Sequence, residues 1–593
     1  MLTHRISLEA LIEENNRLRD SGAVEGVSRS IAIPNTADSN DALQNPLFDE
    51  RPWFHTVSSS DLPIHIGEAA DAAFATRFRQ TLATVCTNHL PRMSYVPDAS
   101  LMLPTDTQYR WPSPERARFL IRVAFDTVCR CYHIIRKSVV RENLETAIKS
   151  EGNGDRLVIG KLFALFALGE VYSARAAVQE AVFPGLVYFT QARSLVSEPM
   201  ERPQLDAVEV TLLLVVYSFT LNRRHSAYIF ASSAIRLGLI MGMQLNIPDH
   251  QCRDRAAREH RVRLWWTTYI LDRTCTSKIG LPVSVADDDI QVDLPGVDGA
   301  ESFDAVDFQD LEYELRSIGL SRIAAMSTVQ IYSRRGHRNP FSQRVQAVLK
   351  DLDRWMDTLP AKFYLRADGS SLPEPHIVYL HLRFNQSVIL ATRPILLHVL
   401  GVHQQALADN VDPKTVVPDT ARTLAETCMQ CARHSYQIIT DAWVRGTFAT
   451  FDYFHTQYLF SAATILAISS LLGSRKSEDD TYKLENAVDL LRQLDLSGSF
   501  VAREFCEHVD AMQKSMAATH SGTSIEALSR HRQGTNEEPA ASSSGRELTA
   551  GMALADPSLR DFLAETDLGI PGFDDSMFDN SRTLFWPEIE DAW

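Results

Sequence analysis

Apolar residues along this chain recur at helical spacing, and nowhere do they alternate with polar ones at the period of two that a half-buried strand needs. Helical stretches are read at 119–139, 161–181, 205–221, 226–244, 345–359, 376–390 and 453–472. Pro114, Pro184, Pro360 and Pro394 are expected at helix boundaries, because proline lacks the N–H that a helix interior uses and clashes with the preceding turn. The fold class expected is all-α: a large multi-helix domain in which helix pairs share cores.

With 45% hydrophobic and 23% charged residues, most of the chain can bury a core. The body is placed at 63–515. The whole chain's formal charge of −16 argues against nonspecific DNA binding by the bulk of the protein. Eight scattered cysteines suit a reducing compartment, and the N-terminus has no secretory pattern. The longest charge-free run, 453–474, contains His455, Thr456, Gln457 and several serines, so it reads as a buried helix rather than a membrane span.

The ends differ from the body. In 1–20, Leu8, Leu11, Asn15 and Leu18 fall at a and d positions of about two heptads, a short coiled-coil-like helix suited to a homodimer, with Asn15 favouring a parallel pair. Residues 21–62, rich in Ser, Asn, Asp and Pro, read as a linker, and 516–555, poor in large apolar residues, as a disordered one. From 556 to 593 there are ten acidic residues and two arginines, net −8, half the charge of the whole chain. Phe562, Phe573, Phe578, Phe585, Trp586 and Trp593 are interleaved with those acids, the pattern of an acidic activation segment. Mutual repulsion of the carboxylates is expected to keep these aromatics exposed for a partner's groove. The alternative is that the tail docks back on the body.

The 37 residues 259–295, EHRVRLWWTTYILDRTCTSKIGLPVSVADDDIQVDLP, are the most distinctive part. A helix is expected from 258 to 274, with Arg258, Arg261 and Arg263 in its first half and Trp265 and Trp266 carrying enough apolar area that at least one is core. Gly280 and Pro282 punctuate the chain after it, Asp287, Asp288 and Asp289 lie in a loop, and a short extended stretch ends at Leu294-Pro295. Arg261, Trp265, Trp266, Asp272 and Arg273 are the expected structural centre, with Asp272 paired to a nearby arginine that spacing does not identify.

Catalytic and metal chemistry fit poorly. A binuclear zinc cluster needs six thiolates with close Cys-x-x-Cys pairs. Cys428 and Cys431, followed by His434, are an isolated set, and Cys129, Cys131 and His133 offer only 129 and 133 on one helical face. Both groups read as packing residues. The Asp287–Asp289 run invites comparison with the magnesium-binding box of terpene synthases, but Val292 stands where the distal aspartate belongs. No phosphate-cradling glycine loop, Gly-x-Ser-x-Gly or His-Glu-x-x-His occurs. No enzyme, and no cofactor held by this chain, is expected.

The order Arg261, Arg263, Leu264, Trp265, Trp266, Asp272, Arg273, Gly280, Pro282, Leu294, Pro295 resembles the signature of the middle regulatory domain of fungal transcription factors of the binuclear zinc-cluster, six-cysteine class. Further likenesses are Ile66-Gly67-Glu68 with Phe74 at the domain's opening and the helix 227–245 before the signature. Trp355 with Leu359-Pro360, the run 381–385 (HLRFN), and Arg393-Pro394 resemble its later landmarks. The resemblance implies a nuclear transcription regulator, with activation through the tail acting on the transcription machinery. DNA binding, and any zinc, would come from a cluster upstream of this chain or from a partner. A co-regulator that dimerises with an intact family member is the alternative function. The resemblance implies no membrane association.

Overall fold

The computed structural model describes Asn45, residues 53–55, residues 63–523 apart from short segments, and residues 553–564. The omitted short segments are 84–86, 103–110, 178–182, 197–200, 297–305, 309, 335–338, 366–373 and 474–475. Leu8, Leu11, Asn15 and Leu18, and the tail aromatics Phe573, Phe578, Phe585, Trp586 and Trp593, lie outside the described residues.

The described chain is all-α. Its helices are α1 (Asp71–Leu82), α2 (Pro114–Asp126), α3 (Val128–Cys131), α4 (Lys137–Lys149), α5 (Arg156–Ser173), α6 (Leu186–Val196), α7 (Leu205–Thr220), α8 (Arg224–Ile240) and α9 (Arg255–Ile279). There follow α10 (Leu311–Tyr332), α11 (Phe341–Asp357), α12 (Pro375–Ala408), α13 (Pro413–Val416), α14 (Asp419–Val444), α15 (Tyr453–Leu471), α16 (Ser477–Leu496), α17 (Phe500–Thr523) and α18 (Pro557–Ala564). Local chemistry sets several of the starts. Ser113 accepts from the Arg116 N–H with Pro114 at the first helical position of α2, and Asp155 accepts from the Leu157 and Val158 N–H groups at the start of α5.

One continuous apolar core joins these elements. α12 packs along α14, α7 along α8, α2 along α5, and α15 between α14 and α16, while α9 runs against α8 and α10. α7 and α15 are apolar all round and are covered on every side, as such helices must be. No described helix is long and apolar enough to cross a membrane.

Four expectations need correction. The stretch 119–139 is not one helix: α2 stops at Asp126, α3 is a single turn, and 132–136 is non-helical before α4. Tertiary burial decides this, because Ile134 and Ile135 are core residues and the His133 carbonyl accepts from the Thr267 hydroxyl at 2.9 Å. Cys129 and His133 therefore do not share a helix face.

Pro394 is not a boundary but lies inside the 34-residue α12. The carbonyl its missing N–H would serve, that of Leu390, instead accepts the Tyr332 hydroxyl at 2.8 Å. A partner from α10 thus removes the usual cost of an interior proline.

Part of the stretch expected as linker is attached to the body. Phe54–His55 pairs antiparallel with Ile64–His65, Trp53 is buried with the Arg77 guanidinium 4.8 Å from its ring, and Asn45 donates to the Ile331 carbonyl at 2.8 Å.

At the other end α17 continues to Thr523, and α18 lies on α11 and α14. Leu559, Phe562 and Leu563 are buried there, and Gln346 donates to the Phe562 carbonyl at 2.6 Å. Phe562 is therefore not an exposed tail aromatic: the gain from covering three apolar side chains outweighs the repulsion of the two neighbouring acids.

Candidate functional site

α9 organises the centre of the body. Asp254 caps its first turn by accepting from the Ala256 N–H, and Gly280 ends it in the left-handed conformation at φ 67°. Gly280 also sits against Gly67. A methyl group on Gly67 would lie 2.1 Å from the Ile279 carbonyl oxygen, so the opening motif and the signature meet through two glycine backbones.

Of the signature residues, Arg263, Leu264, Trp265, Trp266, Asp272, Arg273 and Pro295 are buried, Arg261 is half-buried, and Pro282 and Leu294 are exposed. Both tryptophans are core. Trp265 packs against Gly238 of α8, where a methyl group would meet the indole at 3.0 Å. Trp266 Nε1 donates to the Asp293 carbonyl at 2.9 Å, holding the loop after α9 against the helix.

Asp272 is fully buried, and its partner is the adjacent Arg273. Arg273 Nη1 donates to Asp272 Oδ2 at 2.7 Å, and the Ser284 backbone N–H and hydroxyl donate to the same carboxylate at 3.2 and 2.5 Å. Arg273 Nη2 donates to the Val285 carbonyl at 2.7 Å and to Asp287 Oδ1 at 2.8 Å, and its guanidinium lies 4.2 Å from the Tyr269 ring centroid. Asp287 also accepts from the Tyr269 hydroxyl, so it is a latch for this network. Asp287, Asp288 and Asp289 form one 3-10 turn.

The arginines in the first half of α9 are also engaged. Arg261 donates to the Met241 and Gly242 carbonyls at 2.9 and 2.7 Å. Arg263 pairs with Glu259 at 2.6 Å and Glu314 at 3.2 Å. Neighbouring His260 bonds Glu209 at 2.7 Å and His133 at 3.0 Å, and Glu209 in turn pairs with Lys161. The buried cations Arg263 and Lys161 are thus matched by the carboxylates of Glu259 and Glu209, the condition under which buried charge is tolerated.

The sulfur groups behave as packing residues. Cys428 and Cys431 are buried, burial lifts the Cys428 thiol to about 12, and His434 lies by Asn385, whose side chain is 3.1 Å from its Nδ1. Among the described residues no three His, Cys, Asp or Glu side chains converge as metal ligands.

The last turn of α9 borders a cleft. Arg273, Thr274, Ser277 and Lys278 line it from α9, Ser321 from α10, Arg383 and Gln386 from α12, Tyr458 from α15, and Asp71 from α1. The one acid among them is occupied. Asp71 accepts from Arg393 at 2.6 Å and Gln386 at 3.3 Å, and also from Gln457. Arg383, buried, donates to the Ser317 and Ser321 hydroxyls at 2.6 and 2.5 Å and has no carboxylate partner among the described residues. Lys278 Nζ lies 4.9 Å from the Tyr458 ring. Burial, and then the charges of Arg383 and Arg393 against that of Asp71, bring Lys278 down to about 8. Lys278 and Arg383 lie inside the motifs 259–295 and 381–385 with nothing in those motifs to set them apart. The available signal was one lysine in the last turn of a helix whose other residues are mostly buried.

Residues 125–363 match the family model described as the fungal specific transcription factor domain. The chain is similar to an uncharacterized transcriptional regulatory protein of Schizosaccharomyces pombe, 22% identical over 395 residues, covering 64% of this chain and 47% of that protein. It is likewise similar to Activator of stress genes 1 of Saccharomyces cerevisiae, 26% identical over 269 residues, covering 43% of this chain and 27% of that one. A third relative is the Transcription regulator galc of Aspergillus niger, 21% identical over 369 residues, covering 53% and 44%. The chain thus spans less than half the length of each of these relatives.

Proposed function

We propose that this chain, whose residues 125–363 match the fungal specific transcription factor domain, is a transcription regulator acting in the nucleus as an activator. The observation that carries the reading is the closed network of α9. The Trp265-Trp266 pair, Asp272, Arg273 and Gly280 are brought by the fold into one centre with the opening motif at Gly67. The relatives named as regulators and activators support the same direction.

In this reading the helical body transmits a signal and makes no bond to DNA. The whole chain carries a net charge of −16, and its eight cysteines include no six-thiolate set. DNA contact falls to a partner chain or to a module outside these residues, zinc belongs to that module, and pairing through Leu8, Leu11, Asn15 and Leu18 sets register. Phe573, Phe578, Phe585, Trp586 and Trp593 engage the transcription machinery, while Phe562 anchors the tail to the body. No catalytic step is assigned to any residue.

Tethering the full chain to an unrelated DNA-binding domain upstream of a reporter tests this. Raised expression is expected, and a fusion of residues 571–593 alone should retain part of it. An expressed full-length fusion that leaves the reporter unchanged overturns the activator reading.

A further inference from the structure

We propose that the cleft at the end of α9 binds a small organic anion, a carboxylate or a phosphate ester, with its charged group held between Lys278 and Arg383. Charge at this end of α9 is not balanced. Four cationic side chains approach this region. Arg273 is neutralised by Asp272 and Asp287, and Arg393 by Asp71. Lys278 and Arg383 have no carboxylate within 4.0 Å among the described residues, and Arg383 is 8% exposed. A guanidinium taken out of water with only hydroxyl oxygens and aromatic faces around it lacks the counter-charge that buried ions need.

The tyrosines near Arg383, Tyr132, Tyr313, Tyr379 and Tyr458, do not supply it, because burial holds all four phenols in their neutral form. Asp452, whose charge acts on Tyr132, Tyr379 and Tyr458, is engaged by Tyr172 at 2.8 Å and His455 at 3.3 Å. An incoming anion is therefore what completes the site.

The walls suit a small organic acid. Leu320 and Leu390 offer apolar contact, while the Thr274, Ser277 and Ser321 hydroxyls donate to backbone carbonyls of their own helices and leave donation to the anion to Lys278 and Arg383. The enclosed part of the cleft is small, about 40 Å³, room for a charged head group with the rest of the ligand lying at the mouth. α9, α10, α12 and α15 all contribute walls, so an occupant would tie the signature helix to three others. That occupancy then alters transcription rests on the regulator reading; the binding itself does not.

Titration calorimetry of the full chain, with inorganic phosphate, glucose 6-phosphate, succinate and citrate as probes against sodium chloride at matched ionic strength, is the test. At least one probe should bind with one-to-one stoichiometry. A response confined to the phosphates or to the carboxylates identifies the head group.

Lys278→Gln should weaken that binding about tenfold or more, the loss of one charge-assisted contact, whereas Lys278→Arg should retain it. Circular dichroism establishes that each variant is folded, and Arg383→Lys provides a second reading of the same site. No binding beyond the chloride control, or equal affinity in folded Lys278→Gln, overturns the proposal. Binding that is intact while the tethered chain fails to activate overturns the regulator reading and leaves the site standing.

Discussion

Asp272 and Lys278 stand six residues apart on one helix and face opposite electrostatic situations. Around Asp272 each charge has its counter-charge and its hydrogen bonds: Arg273 Nη1 at 2.7 Å, two donors from Ser284, and Asp287 closing the far side of Arg273. Around Lys278 the only lining acid is already held by Arg393. A closed network resists change, since removing any member strands the others in a low-dielectric surrounding. An open one is poised for an added group. The difference teaches that a single helix can carry both the rigid centre of a domain and its responsive edge.

That contrast can be broken by experiment. Asp272→Ala should be the most damaging change, costing about 3–5 kcal/mol because it leaves Arg273 buried without its nearest counter-charge. Chemical denaturation would measure it, and a loss below about 1 kcal/mol would mean that the network is not the rigid centre.

Acid provides a second, smaller test. His381 and His508, both buried, are lowered to about 4 and about 3, chiefly by desolvation, and His133 is lowered well below its usual value by burial and by His260. Their folded values lie below the unfolded one. Stability is therefore full above about pH 6.5 and falls as pH drops below it, because only the unfolded chain takes up those protons. Glu314, lifted to about 8 by burial, works in the opposite sense and offsets part of the loss. Between pH 7 and 5.5 the net change should be a loss, to which His89, His225 and His434, also lowered by burial, add, and a melting temperature that rises on acidification would contradict this assignment of buried neutral histidines.

At Lys278 the expected effect is the smallest. Lys278→Met removes a desolvated charge with no carboxylate partner, so stability without ligand should change by less than about 1 kcal/mol and in the favourable direction. A large destabilisation would show that Lys278 belongs to the closed network and would erase the distinction between the two ends of α9.

Helix content was legible from spacing, and the signature from its likeness to a known family. Trp265 and Trp266 had too much apolar area to stay in water, and Gly280 marked the end of α9 because only glycine takes a positive φ without strain. Where the reading went wrong, a distant side chain or a buried backbone had intervened. Pro394 would end an isolated helix, yet Tyr332 supplies the hydrogen bond that Leu390 lost. The segment after Cys131 continues the apolar spacing of the helix before it, yet burial of Ile134 and Ile135 holds it out of the helix. Phe562, counted with the acidic tail, is covered by α11 and α14.

What the sequence determined by itself was therefore the period of its apolar residues, and hence the helices, the charge of its ends, and the ordered landmarks of a regulatory domain. Which charges meet was decided only in three dimensions. The partners Asp71 and Arg393 are separated by more than three hundred positions, and nothing local distinguishes Arg393, which found a carboxylate, from Arg383, which did not. Pairing of buried charge depends on distance and desolvation, and both quantities exist only once the helices have packed.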